Sequence, residues 1–339
     1  MSKKPILLFC QPDDSYFLWQ CHTYIESCLE NGFDEERIQI LLYTPPERVY
    51  NTAWDQLKKI YPKIGLYNYE DKGVGRFLGT YIPILRPHIL WQHFEKFPEL
   101  EKETIIYTDC DIVWTKPPDI EKFYDDNVHY MSNASGYMNN SYFERKNNEV
   151  LPEKKHLLKD RDFLKEIASF VGITKDIVIE NNENIGGVQY ILKNMNADFW
   201  KKVETDCLVI RAHLLNVNKQ FYASENAGIQ SWCADLWAVI FNLWYRGDTV
   251  KIVPEMTFAW SSDSIEKLDK VSILHNAGIA GDFQGDIPVF HKGKYFNNTN
   301  PFKDLSLYDI YNNDKNKTLC NNEYIKYMLK AHNKHQLIF

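Results

Sequence analysis

The N-terminal part of the chain alternates strand-length apolar runs with helix-length amphipathic ones, and that alternation narrows the fold more than any other feature. Ile6-Leu7-Leu8-Phe9-Cys10 reads as a strand, residues 15–31 as a helix that stops at Gly32, and Ile38-Gln39-Ile40-Leu41-Leu42-Tyr43 as a second strand closed by Pro45-Pro46. A helix over residues 52–60 and a third strand at Gly65-Leu66-Tyr67-Asn68-Tyr69 follow. Strands separated by helices need crossover connections, which implies an α/β fold with a parallel, doubly wound sheet. Ligands of such sheets bind outside the carboxyl ends of the strands. Asp13, Asp109 and Asp111 all follow strand-length runs and so fall at such ends.

The run Ile105-Ile106-Tyr107-Thr108-Asp109-Cys110-Asp111-Ile112-Val113-Trp114 carries the chemistry. On an extended backbone, residues i and i+2 point to one side. Asp109 and Asp111 can therefore reach a common point just past a buried strand. Two carboxylates at an apolar edge repel each other and resist desolvation unless something compensates. They are either turn residues, where Asp is common, or oxygen ligands of a divalent cation such as Mn²⁺ or Mg²⁺.

Composition excludes several classes. A hydrophobic fraction of 44% with 25% charged residues belongs to a globular protein. The net charge of −7 leaves no electrostatic footprint for non-specific nucleic-acid binding. No apolar run is long enough to span a bilayer, and the opening apolar run is too short for a signal peptide. Seven cysteines without paired spacing point to a reducing cytoplasm, of a host cell if the gene is viral. Asn133-Ala134-Ser135 and Asn297-Asn298-Thr299 fit the glycosylation sequon, which means nothing without a secretory signal.

Further along, residues 83–97 form an amphipathic helix that leads into the aspartate strand, and residues 128–132 another strand. Residues 139–182 are polar and charged and read as an inserted helical region that covers a site. An apolar run over residues 185–192 is followed by a helix through Trp200, and residues 227–244 read as one long apolar helix. Val271-Ser272-Ile273-Leu274 is a late strand that ends at His275, either a structural histidine or a third ligand beside the carboxylates. Gly186 and Gly187, behind Asn184, allow a bend or close approach to a ligand. Asp235, among the tryptophans of Trp232-Cys233-Ala234-Asp235-Leu236-Trp237-Ala238, is either a buried ion-pair or capping residue or a group facing a substrate. Arg76 and Arg86 suit surface salt bridges or a bidentate grip on phosphates or hydroxyls. Lys292, in His291-Lys292-Gly293-Lys294, sits on a solvated basic turn or closes over phosphates.

Taken together, these pieces resemble a nucleotide-sugar-dependent glycosyltransferase of the GT-A fold, over roughly residues 5–295. Tyr107-Thr108-Asp109-Cys110-Asp111 looks like the D-x-D motif of that family. More narrowly, Arg86-Pro87-His88-Ile89-Leu90-Trp91, the tryptophan-flanked Asp235 and Ile273-Leu274-His275 are similar to the hydroxyproline arabinosyltransferase and peptidyl serine galactosyltransferase group. Glycogenin-like transferases share the D-x-D with a late histidine, although this chain lacks their Lys-Pro-Trp after it.

The resemblance implies one GT-A catalytic domain over residues 1–300, with 139–182 inserted, and a C-terminal helical tail over 301–339. It implies Mn²⁺, or Mg²⁺, held by Asp109, Asp111 and His275, with Asp109 also touching the donor. The donor is a nucleotide diphosphate sugar, a UDP-sugar first, bound by Asp13, Arg76, Arg86, Asn184, Gly186, Gly187 and Lys292. Asp235 faces the anomeric centre or the acceptor. Transfer to a hydroxyl proceeds with retention; if it inverts, Asp235 or Glu225 is the base. The acceptor is a glycan, a protein side chain, a small molecule or a hydroxylated DNA base. A Mg²⁺-dependent sugar nucleotidyltransferase and a non-catalytic carbohydrate-binding protein are the competing readings, but Cys10-Gln11-Pro12-Asp13-Asp14 is no phosphate loop of the former kind.

Overall fold

A computed structural model describes residues 4–79, 81–277, 281–297 and 300–337; Gly278 and the Asn298-Thr299 part of the second sequon lie outside the described residues. Two compact units are built from interleaved segments of chain. Met1–Asp71 holds β1 (Ile6–Pro12), α1 (Ser15–Glu30), β2 (Ile38–Thr44), α2 (Ala53–Ile60) and β3 (Gly65–Glu70). Lys72–Thr104 holds α3 (Leu85–Lys96), and Ile105–Tyr124 holds β4 (Ile105–Tyr107) and β5 (Ile112–Trp114). Asp125–Val253 contains β6 (His129–Asn133), β7 (Gly186–Leu192), α4 (Ala197–Phe221), α5 (Ala234–Tyr245) and β8 (Val250–Ile252). Pro254–Phe339 adds β9 (Phe258–Trp260), β10 (Ile273–His275) and α6 (Cys320–Lys334). The first, third and fifth segments make the first unit; the second and fourth make the other.

In the first unit, β3, β2, β1 and β4 lie side by side, all parallel. This is the α/β, parallel-rich architecture that the alternation of strands and helices predicts. β1 is buried on both faces, which is why it reads as an unbroken apolar run. Asp14 caps α1 by accepting from the Tyr16 amide at 2.9 Å. The helix ends at Asn31 ahead of Gly32, whose φ of +88° suits glycine. α1 is buried along most of its length because α6 packs against it. Trp19, Val113, Leu274, Tyr324 and Met328 share that core, each large side chain worth roughly 1.5–3 kcal/mol of burial. Lys330 and Lys334 of α6 pair with Glu30 and Glu26 of α1 at 2.6 and 2.8 Å. A second, small sheet orders β5, β10 and β9, with β10 antiparallel to β5 and parallel to β9.

In the other unit β6 lies between β7, antiparallel to it, and β8, parallel to it, and a bulge interrupts the β6–β7 ladder between Met131 and Asn133. α4 packs against both α3 and α5. Trp200, Val203, Cys207, Ile210 and Leu214 give α4 its buried stripe at helical spacing. Residues 139–182 are helical, as expected, over Asn140–Asn148, Phe163–Val171 and Lys175–Glu180.

Three expectations need correction. The aspartates are not carried on the strand that leads to them: β4 stops at Tyr107, and β5 begins at Ile112 in the other sheet, so Asp109 and Asp111 lie between the two. The helix expected from residue 83 begins at Leu85, after a 3-10 turn. The helix expected over 227–244 begins only at Ala234. Asn218 of α4 accounts for the last: its side chain accepts from Ile229 N at 2.8 Å and donates to Ile229 O at 2.7 Å. Gly228 lies so close that a Cβ there would stand 2.2 Å from Asn218 Oδ1. Side-chain bonds to that backbone outcompete the helical pattern.

Among the described residues, no helix is long and apolar enough to cross a membrane. Among the described residues none of the seven cysteines forms a disulfide.

Candidate metal centre

Where β4 ends, the backbone is held rather than loose. Thr108 N donates to Leu8 O at 3.2 Å, and the Thr108 and Tyr24 hydroxyls share a buried hydrogen bond of 2.7 Å. Four residues later β5 pairs with β10 in a register that sets His275 opposite Ile112, and Asn276 N donates to Asp111 O at 2.9 Å. That register delivers His275 to the aspartates. Its Nε2 stands 3.2 Å from Asp111 Oδ1 and 3.8 Å from Asp109 Oδ2. One ligand atom from each of the three residues lies within 4.8 Å of the others.

The donor set fits a hard divalent cation: two carboxylates and an imidazole suit Mn²⁺ or Mg²⁺. Ligands about 2.1 Å from such an ion and at right angles to each other lie about 3 Å apart. The Asp111–His275 separation meets that spacing as it stands, and Asp109 is slightly wider. Burial is graded, with side-chain exposures of 23% for Asp109, 14% for Asp111 and 4% for His275. One side of the cluster is thus closed and the other open. Trp260 stacks on the His275 ring at 5.1 Å between centroids and 27° between planes, and Phe258 meets it edge-on. β9 places both aromatics there, since His275 pairs with Trp260 in register. Trp260 remains 36% exposed.

Lys292 is drawn into this cluster and ion-pairs with Asp111 Oδ2. Burial by itself would raise the Asp111 pKa, but the Lys292 ammonium and His275 outweigh it and hold the carboxyl far below the usual range. Burial likewise opposes the Lys292 charge, and Asp111 more than restores it, so the ammonium titrates above an ordinary lysine. The nearby Tyr16 phenol is pushed up to about 12, chiefly by burial.

Asp13, after β1, is also buried in the first unit. Its carboxylate accepts from the Thr44 hydroxyl at 2.8 Å and the Asn51 amide at 3.1 Å, with Arg48 at 3.5 Å. It ties the ends of β1 and β2 to the loop after β2.

The remaining expected residues belong to the other unit. Asn184 precedes β7 and accepts from Ile252 N at 3.4 Å. A Cβ on Gly186 would stand 2.6 Å from the Ser132 carbonyl and 2.6 Å from Ile252 Cδ1. Gly186→Ala therefore forces backbone apart and destabilises this unit by about 3 kcal/mol, read as a lower urea midpoint. An unchanged midpoint would refute the close packing. Gly187 O accepts from the Ser132 hydroxyl. Val188 follows with φ of +75°, a left-handed conformation that costs a β-branched residue about 1–2 kcal/mol. Next to it the Gln189 side chain is fully buried, and neither amide atom has a hydrogen-bond partner among the described residues. Nothing in local sequence marks Val188 or Gln189.

Asp235, near the start of α5, is buried and paired with Arg86 at 3.4 Å. Its backbone N donates to the Tyr81 hydroxyl at 3.0 Å, and the Arg211 guanidinium covers the Tyr81 ring at 4.3 Å. Arg76 lies over its neighbour Phe77 at 4.8 Å. Glu225 is half exposed, accepts from the Ser231 hydroxyl at 3.0 Å and stands 3.8 Å from Arg211. The metal cluster and Asp235 thus sit in separate units of the chain.

No family model and no curated protein sequence matches the chain. Several solved structures align with it at low identity. The apo structure of the bifunctional glycosyltransferase WbbM aligns over 91% of this chain with 11% identity and a TM-score of 0.47, and the chain spans 52% of WbbM. The apo form of mouse xyloside xylosyltransferase 1 aligns over 80% of this chain and 97% of its own, at 9% identity and a TM-score of 0.37. The galactosyltransferase LgtC, solved with donor and acceptor sugar analogues, aligns over 83% of this chain and 90% of its own, at 10% identity and a TM-score of 0.40. Likeness this remote assigns neither a family nor an activity. What the chain itself defines is an α/β protein with an Asp–Asp–His cluster at the carboxyl end of a parallel sheet.

Proposed function

We propose that the chain is a metal-dependent glycosyltransferase of the GT-A kind, which moves a sugar from a nucleotide diphosphate donor, a UDP-sugar first, to a hydroxyl. The observation that carries this reading is the convergence of Asp109, Asp111 and His275 just beyond β4. Strand-end carboxylates with an imidazole hold a divalent cation, and a divalent cation there binds a diphosphate. Mn²⁺ at this centre would neutralise the charge that develops on a leaving diphosphate.

The residues supply the rest. Asp109, the more exposed ligand, faces the donor. Lys292 carries a positive charge for the phosphates, and Asp13 holds the loop after β2 beside the nucleotide. Asn184, Gly186 and Gly187 line the sugar pocket, with Arg76 and Arg86 as further donors of hydrogen bonds. Arg86 and Tyr81 orient Asp235 toward the reacting sugar. The Asp235 carboxylate is already engaged by Arg86 at 3.4 Å rather than open to an acceptor proton. Retention, with the acceptor proton leaving on the diphosphate, therefore fits better than inversion through Asp235 or Glu225. A cytoplasmic setting and a glycan acceptor complete the proposal.

Thermal-shift measurements with UDP-, GDP- and TDP-sugars, each with and without Mn²⁺, test it. A rise in melting temperature that needs both a nucleotide-sugar and Mn²⁺ supports transfer. A rise with nucleoside triphosphates alone would replace it with nucleotidyl transfer.

A further inference from the structure

Two carboxylates and an imidazole brought together need a counter-charge, and in the folded chain Lys292 supplies it. The side chain is 11% exposed and its ammonium engages Asp111 Oδ2, while Asp111 Oδ1 faces His275 Nε2. The segment carrying it is fastened on both sides. Phe290 N donates to Asn321 Oδ1 of α6 at 3.0 Å. His291 and Lys294 both reach Asp282, at 3.5 and 3.1 Å. A Cβ on Gly293 would stand 2.7 Å from the His291 ring, so this turn packs tightly on itself. Lys292 is thus a buried, placed charge rather than a surface lysine that drifts onto an aspartate.

We propose that Lys292 is an internal competitor of the divalent cation: its ammonium holds Asp111 in the ligand-free chain and gives that carboxylate up when a cation takes the cluster. The inference rests on the reading of Asp109, Asp111 and His275 as a metal centre. It follows that the three ligands are gathered before any cation arrives. It also follows that a free cation binds more weakly than the ligands alone would allow. An anionic ligand that draws the ammonium away strengthens cation binding, and the cation strengthens anion binding by the same factor.

Titration of Mn²⁺ alone into the whole chain, with free Mn²⁺ read by electron paramagnetic resonance, tests this on wild type, Lys292→Met, Lys292→Gln and Asp109→Asn. Both Lys292 variants bind Mn²⁺ about tenfold tighter than wild type or better, the scale on which one charge at this range shifts a neighbouring equilibrium. Lys292→Gln keeps a polar group on Asp111 and preserves the test if Lys292→Met does not fold. Equal or weaker binding in the Lys292 variants, with binding lost in Asp109→Asn, overturns the competition and leaves the metal centre standing. Undiminished binding in Asp109→Asn overturns the metal centre and the competition with it.

Discussion

On the proposed function, Asp111→Asn lowers metal-dependent donor turnover by about a thousandfold, because the cation that would balance charge on a leaving diphosphate would lose a ligand. The variant also loses stability. Lys292 is buried against Asp111, so a neutral amide leaves an ammonium with little to offset it, at a cost of about 3 kcal/mol. These two losses come apart in the double variant. Asp111→Asn with Lys292→Met removes both charges and recovers most of the urea stability, while turnover stays lost. Donor hydrolysis across a panel of UDP-sugars with Mn²⁺ reads the first effect, and urea unfolding reads the second. Full turnover in Asp111→Asn would sink the metal assignment; wild-type stability in it would sink the buried pair.

Acid weakens the fold before the carboxylates begin to titrate. His22 in α1 is buried with Nε2 unpartnered among the described residues, and burial pushes its pKa from 6.5 down to about 4. Glu26 opposes that shift, while His332, His335 and Lys334 add to it. In the other unit burial, helped by Lys96, pushes His93 down to about 3. Both folded-state values lie below the unfolded one, so the unfolded chain binds more protons in the interval. The stability from each neutral imidazole is fully present above pH 6.5 and drains as pH falls toward its folded value. Between pH 6.5 and about pH 5 each histidine withdraws about 2 kcal/mol. Urea unfolding at a series of pH values measures the slope, and His22→Gln and His93→Gln each flatten it. A slope that neither substitution changes refutes the assignment.

The first unit's parallel sheet was legible because β1, β2 and β3 pair with neighbours close in sequence, and a central strand of such a sheet is an apolar run; β4, which joins β1 from far along the chain, showed only as such a run. The candidate metal centre was legible in part. Carboxylates two apart after an apolar run are a local signal, and a histidine that ends a strand is another. Their meeting is not local, since it depends on β5 leaving the strand line of β4 to pair with β10 in one register. The Lys292–Asp111 pair left less trace still: a lysine on a Gly-bearing turn looks solvated until the folded turn shows where it points. The false start of α5 has the same origin. Residues 227–233 carry helical periodicity, yet one asparagine on α4 holds their backbone. Val188 is hidden for a different reason, because nothing in its residue type favours the conformation it adopts.

The order of segments along the chain has a consequence for biosynthesis. The unit that carries the aspartates draws on segments that precede and follow those of the other unit and needs Pro254–Phe339, whereas the other unit has all of its residues by Val253. On a ribosome, β1 to β5 wait for β10 to supply His275 and for α6 to cover α1. Until then α1 exposes the apolar face that Tyr324 and Met328 later bury. Of the two units, the one with the most chemistry is the later to be completed, and its apolar surface stays open over that interval.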